Sequence, residues 1–429
     1  MKAKKYLMSL ATAYLCYFTH GIQAIILAQN KENFFTMWGY TDPVAGSAAV
    51  SLAITATGFG KFLTVWIGGE LSDRIGRKKM AVTGSLLYVV CFAGLLYTND
   101  FTVACVCAFL AGVATSGFWD ASLYPAVQEA APEYTGSALI GIKLFISISG
   151  IIYPLLVVHF TSIGLWQINI WIPLAFSVIC AILAAISPFV YDDQMKETVA
   201  GTDDGRVRNA AQAEIETARA RQLVKPGALV NFVTMFYGFI CMFIMYGAQQ
   251  YTKAFGLGNC GLDEMQAAGL TSIYTFGAFG AVIFWAFMMG KLRWNPLKVV
   301  LIDSVFTAVA LAVVLLVRDV IVIYAAIALI GFFAAGGALQ IGLAVRQLFC
   351  PGPRGRNTGI YYTWMGLASC FLPYIVAAMT RSIGETEAVY AMMVMLLAAA
   401  LTAVLMMSYL TVQHKKIYGY SAFRPQERR

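Results

Sequence analysis

The sequence predicts an all-α membrane protein with twelve transmembrane helices in two six-helix parallel repeats. Three observations carry this. The 429 residues are 59% hydrophobic and only 12% charged, unlike a water-soluble domain. Twelve apolar runs of about 20 residues suit a bilayer core about 30 Å thick. The chain also repeats itself at a constant offset of 219 residues, which pairs Gly58 with Gly277, Trp66 with Trp285, Arg74 with Arg293 and Lys79 with Lys298. The same offset pairs Gly112 with Gly331, Gly117 with Gly336, Gln128 with Gln347, Pro132 with Pro351, Gly136 with Gly355 and Pro154 with Pro373. Ungapped agreement at turn and kink positions is expected of two bundles related by an axis along the membrane normal.

The start, Met1-Lys2-Ala3-Lys4-Lys5, has the look of a secretory signal. The apolar run over 6–30 is too long for one and lacks a cleavage site before polar sequence, so it reads as a retained first helix. Spans two and three, 44–70 and 79–98, are joined by Gly68-Gly69-Glu70-Leu71-Ser72-Asp73-Arg74-Ile75-Gly76-Arg77-Lys78-Lys79. Its glycines permit a tight turn between helices, and its basic cluster marks a cytoplasmic loop. Spans four and five, 101–126 and 136–160, run antiparallel through a short loop, and span six, 166–190, completes the first bundle. Spans seven to twelve fall at 226–251, 265–289, 297–317, 321–346, 357–380 and 387–412. The organisation is thus a first bundle over 1–190, a polar central loop over 191–225, a second bundle over 226–412 and a tail over 413–429. Ala210–Arg219, rich in helix formers, suits a short surface helix within a solvated linker.

Charge sets the orientation. Of the 30 lysines and arginines, 24 fall on one side, with Lys31, Lys253, Arg318 and Arg381 opposite and Lys61 and Lys143 within spans. Both termini are therefore expected in the cytoplasm. The net charge of +8 is a topology signal, not a nucleic-acid footprint, because no basic stripe with interleaved aromatics occupies a soluble segment. Seven of the nine cysteines lie within spans; Cys260 alone faces outside, and Cys105-x-Cys107 lacks the further ligands of a metal site. No nucleophile elbow, phosphate-binding glycine loop or catalytic carboxylate pair occurs, so neither enzyme activity nor a cofactor or metal is expected. The absence of an Asn-x-Ser/Thr sequon agrees with a bacterial inner membrane.

The ordered run Gly69-x-Leu71-x-Asp73-Arg74-x-Gly76-Arg77-Lys78 resembles the loop between helices two and three of the major facilitator superfamily of secondary transporters. The second copy, Gly290-Lys291-Leu292-Arg293-Trp294-Asn295-Pro296, keeps charge but has lost the acid. The resemblance covers the whole chain and implies the major facilitator fold, with Gly69, Asp73, Arg74, Gly76, Arg77 and Lys78 in gating. Asp73 is expected to close a cytoplasmic gate near the start of span eleven, where Arg354 and Arg356 lie. The strings Tyr17-Phe18-Thr19-His20-Gly21, Leu27-Ala28-Gln29-Asn30, Gly58-Phe59-Gly60-Lys61, Tyr124-Pro125-Ala126 and 334–340 resemble a poorly characterised group of bacterial inner-membrane transport proteins. Two departures matter. Span four lacks the arginine of many proton-linked members, and Gly150-Ile151-Ile152-Tyr153-Pro154 replaces the G-P-x-x-G-G of drug/proton antiporters.

Function is sought where the membrane makes polar groups costly. Lys61, Asp120, Lys143 and Asp303 are charged residues within spans, and His20 interrupts the first. At 1.5 Å per residue, Lys61 lies roughly 12 Å from the cytoplasmic edge and His20 about 21 Å from Tyr6, bracketing the midplane. Lys61 follows a close-approach Gly-x-Gly, has Gly280 as its repeat partner, and offers a point charge to a carboxylate or phosphate. It is the leading substrate-binding candidate, weighed against a structural ion pair. Asp120 is the proton-coupling candidate, with His20 able to share the role; permanent pairing of Asp120 with Lys143 is the alternative. Gln23, Trp119, Tyr237, Tyr246, Gln340, Tyr361 and Trp364 complete the polar and aromatic lining of the expected substrate site. Asp303 is expected to pair near the 290–298 loop. The expected function is proton-coupled transport of a small organic solute, an anion by the charge of Lys61, through alternating access by a monomer in the lipid bilayer. An organic-anion exchanger and a non-transporting receptor of the same fold are the alternatives.

Overall fold

The computed structural model describes residues 5–131, 135–198, 215–352 and 354–424. Among them are twelve helices long and apolar enough to cross a membrane, and no strand. They are α1 (Leu7–Gln29), α2 (Pro43–Ile75), α3 (Arg77–Tyr97), α4 (Phe101–Ala130), α5 (Thr135–Ser162) and α6 (Ile168–Ile186), then α7 (Ala228–Cys260), α8 (Glu264–Gly290), α9 (Pro296–Leu316), α10 (Val320–Phe349), α11 (Arg354–Ile383) and α12 (Glu385–Tyr418). Several outrun the apolar segments read from the sequence: α2 continues to Ile75, α7 to Cys260 and α12 to Tyr418. Hydropathy falls where the bilayer ends, whereas backbone hydrogen bonding continues until something breaks it. At the α2–α3 junction that is Gly76 alone, with φ +97°. The turn expected over 68–79 is thus one residue; Gly68 and Gly69 are helical.

Several helix starts carry side-chain caps. Asp42 accepts from the amides of Val44 and Ala45, with Pro43 opening the helix. Asp100 and Asp319, at repeat-equivalent positions, cap α4 and α10 by accepting from Val103 and Val322. Both of these helices also contain a π-helical segment, Val113–Trp119 in α4 and Gly331–Ala335 in α10. The two begin just after Gly112 and at Gly331, residues that the offset of 219 pairs. A π turn inserts one extra residue and rotates every side chain beyond it.

The chain forms two compact units. Unit 1 comprises Met1–Gly201, Gln249–Thr275 and Ser369–Met392. Within it α1 packs on α5, α2 on α4 and α3 on α6. The α2–α4 contact is backbone to backbone: a Cβ on Gly60 would strike the Phe109 carbonyl, and one on Gly112 would strike the Thr57 carbonyl. Unit 2 comprises Thr202–Ala248, Phe276–Ala368 and Met393–Arg429, with α9 packed on α10. Large apolar side chains such as Trp66, Ile182, Leu316 and Leu405 are exposed, as lipid-facing surfaces require. Of the helix expected at 210–219, residues 215–219 are helical and 210–214 lie outside the described residues.

Candidate functional site

Unit 1 brings four of the sequence-derived ionisable residues into one cluster. His20 on α1, Lys61 on α2, Asp120 on α4 and Lys143 on α5 come from helices joined by close contacts. Gly21 meets Ile146 and Ser149 of α5, and Gly112 meets the Lys61 amide. Lys61 and Lys143 both act electrostatically on Asp120 and on His20. Asp120 accepts hydrogen bonds from the Tyr17 hydroxyl (3.0 Å) and the Ser116 hydroxyl (3.1 Å). The Tyr17 ring in turn packs edge-on against Tyr124 at 5.1 Å. Among the described residues the Lys61 ammonium makes no hydrogen bond and no ion pair, and its side chain is only partly buried.

A neutral polar network adjoins this cluster. The buried Tyr88 hydroxyl of α3 lies 3.4 Å from His20 Nδ1, 3.4 Å from Gln23 Oε1, and against the Thr115 hydroxyl. Thr115 also donates to the Ala111 carbonyl. Trp119 is fully buried; its indole donates toward Ala81 O (3.3 Å) and Ser85 Oγ (3.2 Å), and its ring sits 4.3 Å from Tyr88. Neighbouring positions of α4 thus serve different helices: Thr115 and Trp119 reach α3, while Asp120, bonded by Ser116, reaches Tyr17 of α1. Tyr17, Tyr88, Thr115 and Ser116 escaped the sequence reading. Their only signal is a hydroxyl in mid-span, which packing residues share.

At the Gly76 end of unit 1, Arg77 is the hub, and its side chain is only 8% exposed. It pairs with Asp73 (2.7 Å) and Glu129 (3.3 Å), donates to Ser72 Oγ (2.7 Å), and stacks on Tyr191 at 4.3 Å. Asp73 itself is exposed, and its carbonyl accepts from the Tyr191 hydroxyl. Asp192 accepts from the Lys78 amide and fills the space a Cβ on Gly76 would need. Arg74 pairs with Glu70 at the surface. The side chains of Arg354 and Arg356, the expected partners of Asp73, lie outside the described residues. Glu129, Tyr191 and Asp192 were not read from the sequence.

The Asn30 end of unit 1 holds a second assembly that sequence left unassigned. Lys31 pairs with Glu385, which also accepts from Ser47. Lys253 pairs with Glu264 (2.9 Å) and donates to Gln29 O (3.2 Å), while Gln29 donates to Thr271 (3.1 Å). All of these groups but Thr271 border a cavity of about 210 Å³.

The remaining candidates lie in unit 2. Tyr237 and Tyr361 are buried and share the space beside Gly342, where a Cβ would strike the Tyr361 hydroxyl. Trp364 packs edge-on against Phe236 at 5.5 Å, and Gln340 is partly exposed. Asp303 departs from expectation. It does not pair near the 290–298 loop; it is 1% exposed, and among the described residues neither carboxylate oxygen has a hydrogen-bond partner. That loop is held instead by Asn295, which caps Leu297 and contacts His414 Nε2 at 3.2 Å.

The family model described as Major Facilitator Superfamily matches residues 8–373. The inner membrane transport protein YdiM of Escherichia coli is 29% identical over 373 residues, 87% of each chain. The MFS-type transporter YfkL of Bacillus subtilis is 29% identical over 374 residues, 86% of this chain and 88% of that protein. The crystal structure of a D-xylose-proton symporter superposes with a TM-score of 0.70 over 94% of this chain and 97% of that one, at 14% identity, which speaks to the fold alone.

Proposed function

The chain belongs to the major facilitator superfamily, and from that premise we propose that it carries a small organic anion across the inner membrane, coupled to protons, with both termini in the cytoplasm. The observation that carries this reading is Lys61. A lysine near the middle of a membrane-spanning helix is costly unless something answers its charge. Among the described residues no carboxylate is in direct ion-pair contact with it, Asp120 acting on it only through space, which favours a negatively charged group on the solute as its partner. His20 and Gln23, ordered by Tyr88, supply hydrogen bonds beside it. Asp120, within electrostatic reach of Lys61 and Lys143, is the proton carrier: loading a proton removes its attraction for the lysines and leaves them to the anion. Transport then proceeds by alternating access around a midplane site.

Thermal-shift screening of the purified protein against organic acids, sugars and amino acids identifies the ligand, because a ligand of the folded state stabilises it by mass action. Lys61→Gln is expected to weaken an anionic ligand by about 1.5–3 kcal/mol, the scale of hydrogen bonds to charged groups. Lys61→Arg should fall between Gln and wild type, since a planar fork replaces a compact ammonium. A neutral sugar as the ligand, bound equally well by Lys61→Gln, overturns the anion reading.

A further inference from the structure

Asp303 lies in unit 2 and belongs to none of the polar clusters of unit 1. Its carboxyl borders a small chamber in unit 2 lined by Tyr237, Cys241 and Ile244 of α7, Ser304 and Thr307 of α9, Phe333, Ala334 and Ala338 of α10, and Ala403 of α12. The titratable groups facing it are Tyr237 and Cys241; no lysine, arginine, histidine or second acid is among the lining residues. The Trp285 indole of α8 approaches the carboxyl but makes no hydrogen bond of good geometry. Ser304 spends its proton on the Val300 carbonyl.

Among the described residues no cation lies beside this carboxyl and no hydrogen bond reaches it, so an ionised carboxylate here would be stripped of water without compensation, which is far more costly than burying a neutral carboxyl. Hard metal cations such as Ca²⁺ and Mg²⁺ would need about six or more oxygens. The chamber offers the carboxyl and three hydroxyls among alkyl, thiol and aromatic groups. The one cation that suits it is a proton.

Part of the chamber wall is the irregular part of α10. Phe333 and Ala334 lie in the π segment, and Ala338 follows Gly337, whose φ of +153° breaks the helix. Such segments rearrange more readily than regular helix. The Tyr361 hydroxyl, also without a hydrogen-bond partner among the described residues, lies beside Tyr237 across Gly342.

We propose that Asp303 is a proton-binding site internal to unit 2, protonated in the conformation described and emptied when the α10 wall admits water. On release the carboxyl O–H bond breaks, its electron pair stays on oxygen and the proton passes to water as hydronium. The site is independent of Asp120 and of the solute's class.

The test is infrared difference spectroscopy of the full-length protein in lipid bilayers, with pH steps in H₂O and D₂O. Wild type should show a protonated-carboxyl C=O band that shifts in D₂O and disappears as pH is raised. Asp303→Asn should lack the band, Asp303→Glu should move its frequency, and Asp120→Asn should retain it. Should Asp303→Asn fail to fold, the frequency change in Asp303→Glu makes the assignment. Identical spectra for wild type and Asp303 variants overturn the proposal. So does a band that persists at every pH where circular dichroism shows the fold intact, since that proton is never exchanged.

Discussion

Replacing Arg77 by Met strands the groups that Arg77 now serves. The guanidinium is 8% exposed and faces Glu129, whose side chain is 24% exposed, while Asp73 at 64% is screened by water. Loss of the Asp73 contact alone would cost about 0–1 kcal/mol, as for other exposed pairs. Glu129 dominates, because one of its oxygens is already buried without a partner and Arg77 is what compensates the other. Breaking a buried pair from one side costs about 3–5 kcal/mol, and the partial exposure of Glu129 puts this case near the lower end. Arg77→Met should therefore lose about 3 kcal/mol of stability. Met keeps much of the packing volume, so the loss reports charge more than cavity. Adding Glu129→Gln removes the stranded carboxylate and should restore at least 1 kcal/mol of that roughly 3. Unfolding in mixed micelles, followed by circular dichroism for wild type, both single variants and the double, closes a thermodynamic cycle. A loss for Arg77→Met within about 0.5 kcal/mol of zero, the usual spread for surface substitutions, refutes the role of Arg77 as hub. Strict additivity of the two changes refutes its coupling to Glu129.

Two further outcomes separate roles within the clusters. If Asp120 carries the coupling proton, Asp120→Asn abolishes accumulation against a gradient but keeps ligand binding and counterflow exchange. If it serves only as a partner for Lys143, the single variant is unstable and Asp120→Asn with Lys143→Met recovers expression; proton-driven accumulation in that double variant excludes Asp120 as carrier. At the Asn30 end, Glu385→Gln removes the charge of the pair with Lys31, whose side chains are 19% and 27% exposed; Gln still accepts from the ammonium, so the loss is about 1 kcal/mol. In a cysteine-free background, thiol labelling at Ser51→Cys, which lines the cavity there, should then quicken about fivefold, the kinetic equivalent of that energy. Unchanged labelling would mean that the pair does not hold this end closed.

What could be read from the chain follows from what a bilayer penalises. Apolar runs of fixed length had to appear as spans, and the repeat survived as matched glycines and prolines at turns and kinks. Charged residues in mid-span stand out because each must be answered, so His20, Lys61, Asp120 and Lys143 were found as individuals, and unit 1 gathers them. Their partners could not be named, because Tyr17, Tyr88, Thr115 and Ser116 cost little in a membrane and look like packing residues. Thr115 and Ser116 lie besides in the π segment of α4, a one-residue insertion into the hydrogen-bond ladder that hydropathy does not record. The pairing of Lys31 with Glu385, across most of the chain, and the isolation of Asp303 were equally hidden. Sequence establishes that a charge lies in the membrane; which side chains meet it, or that none does, is decided only when distant helices pack.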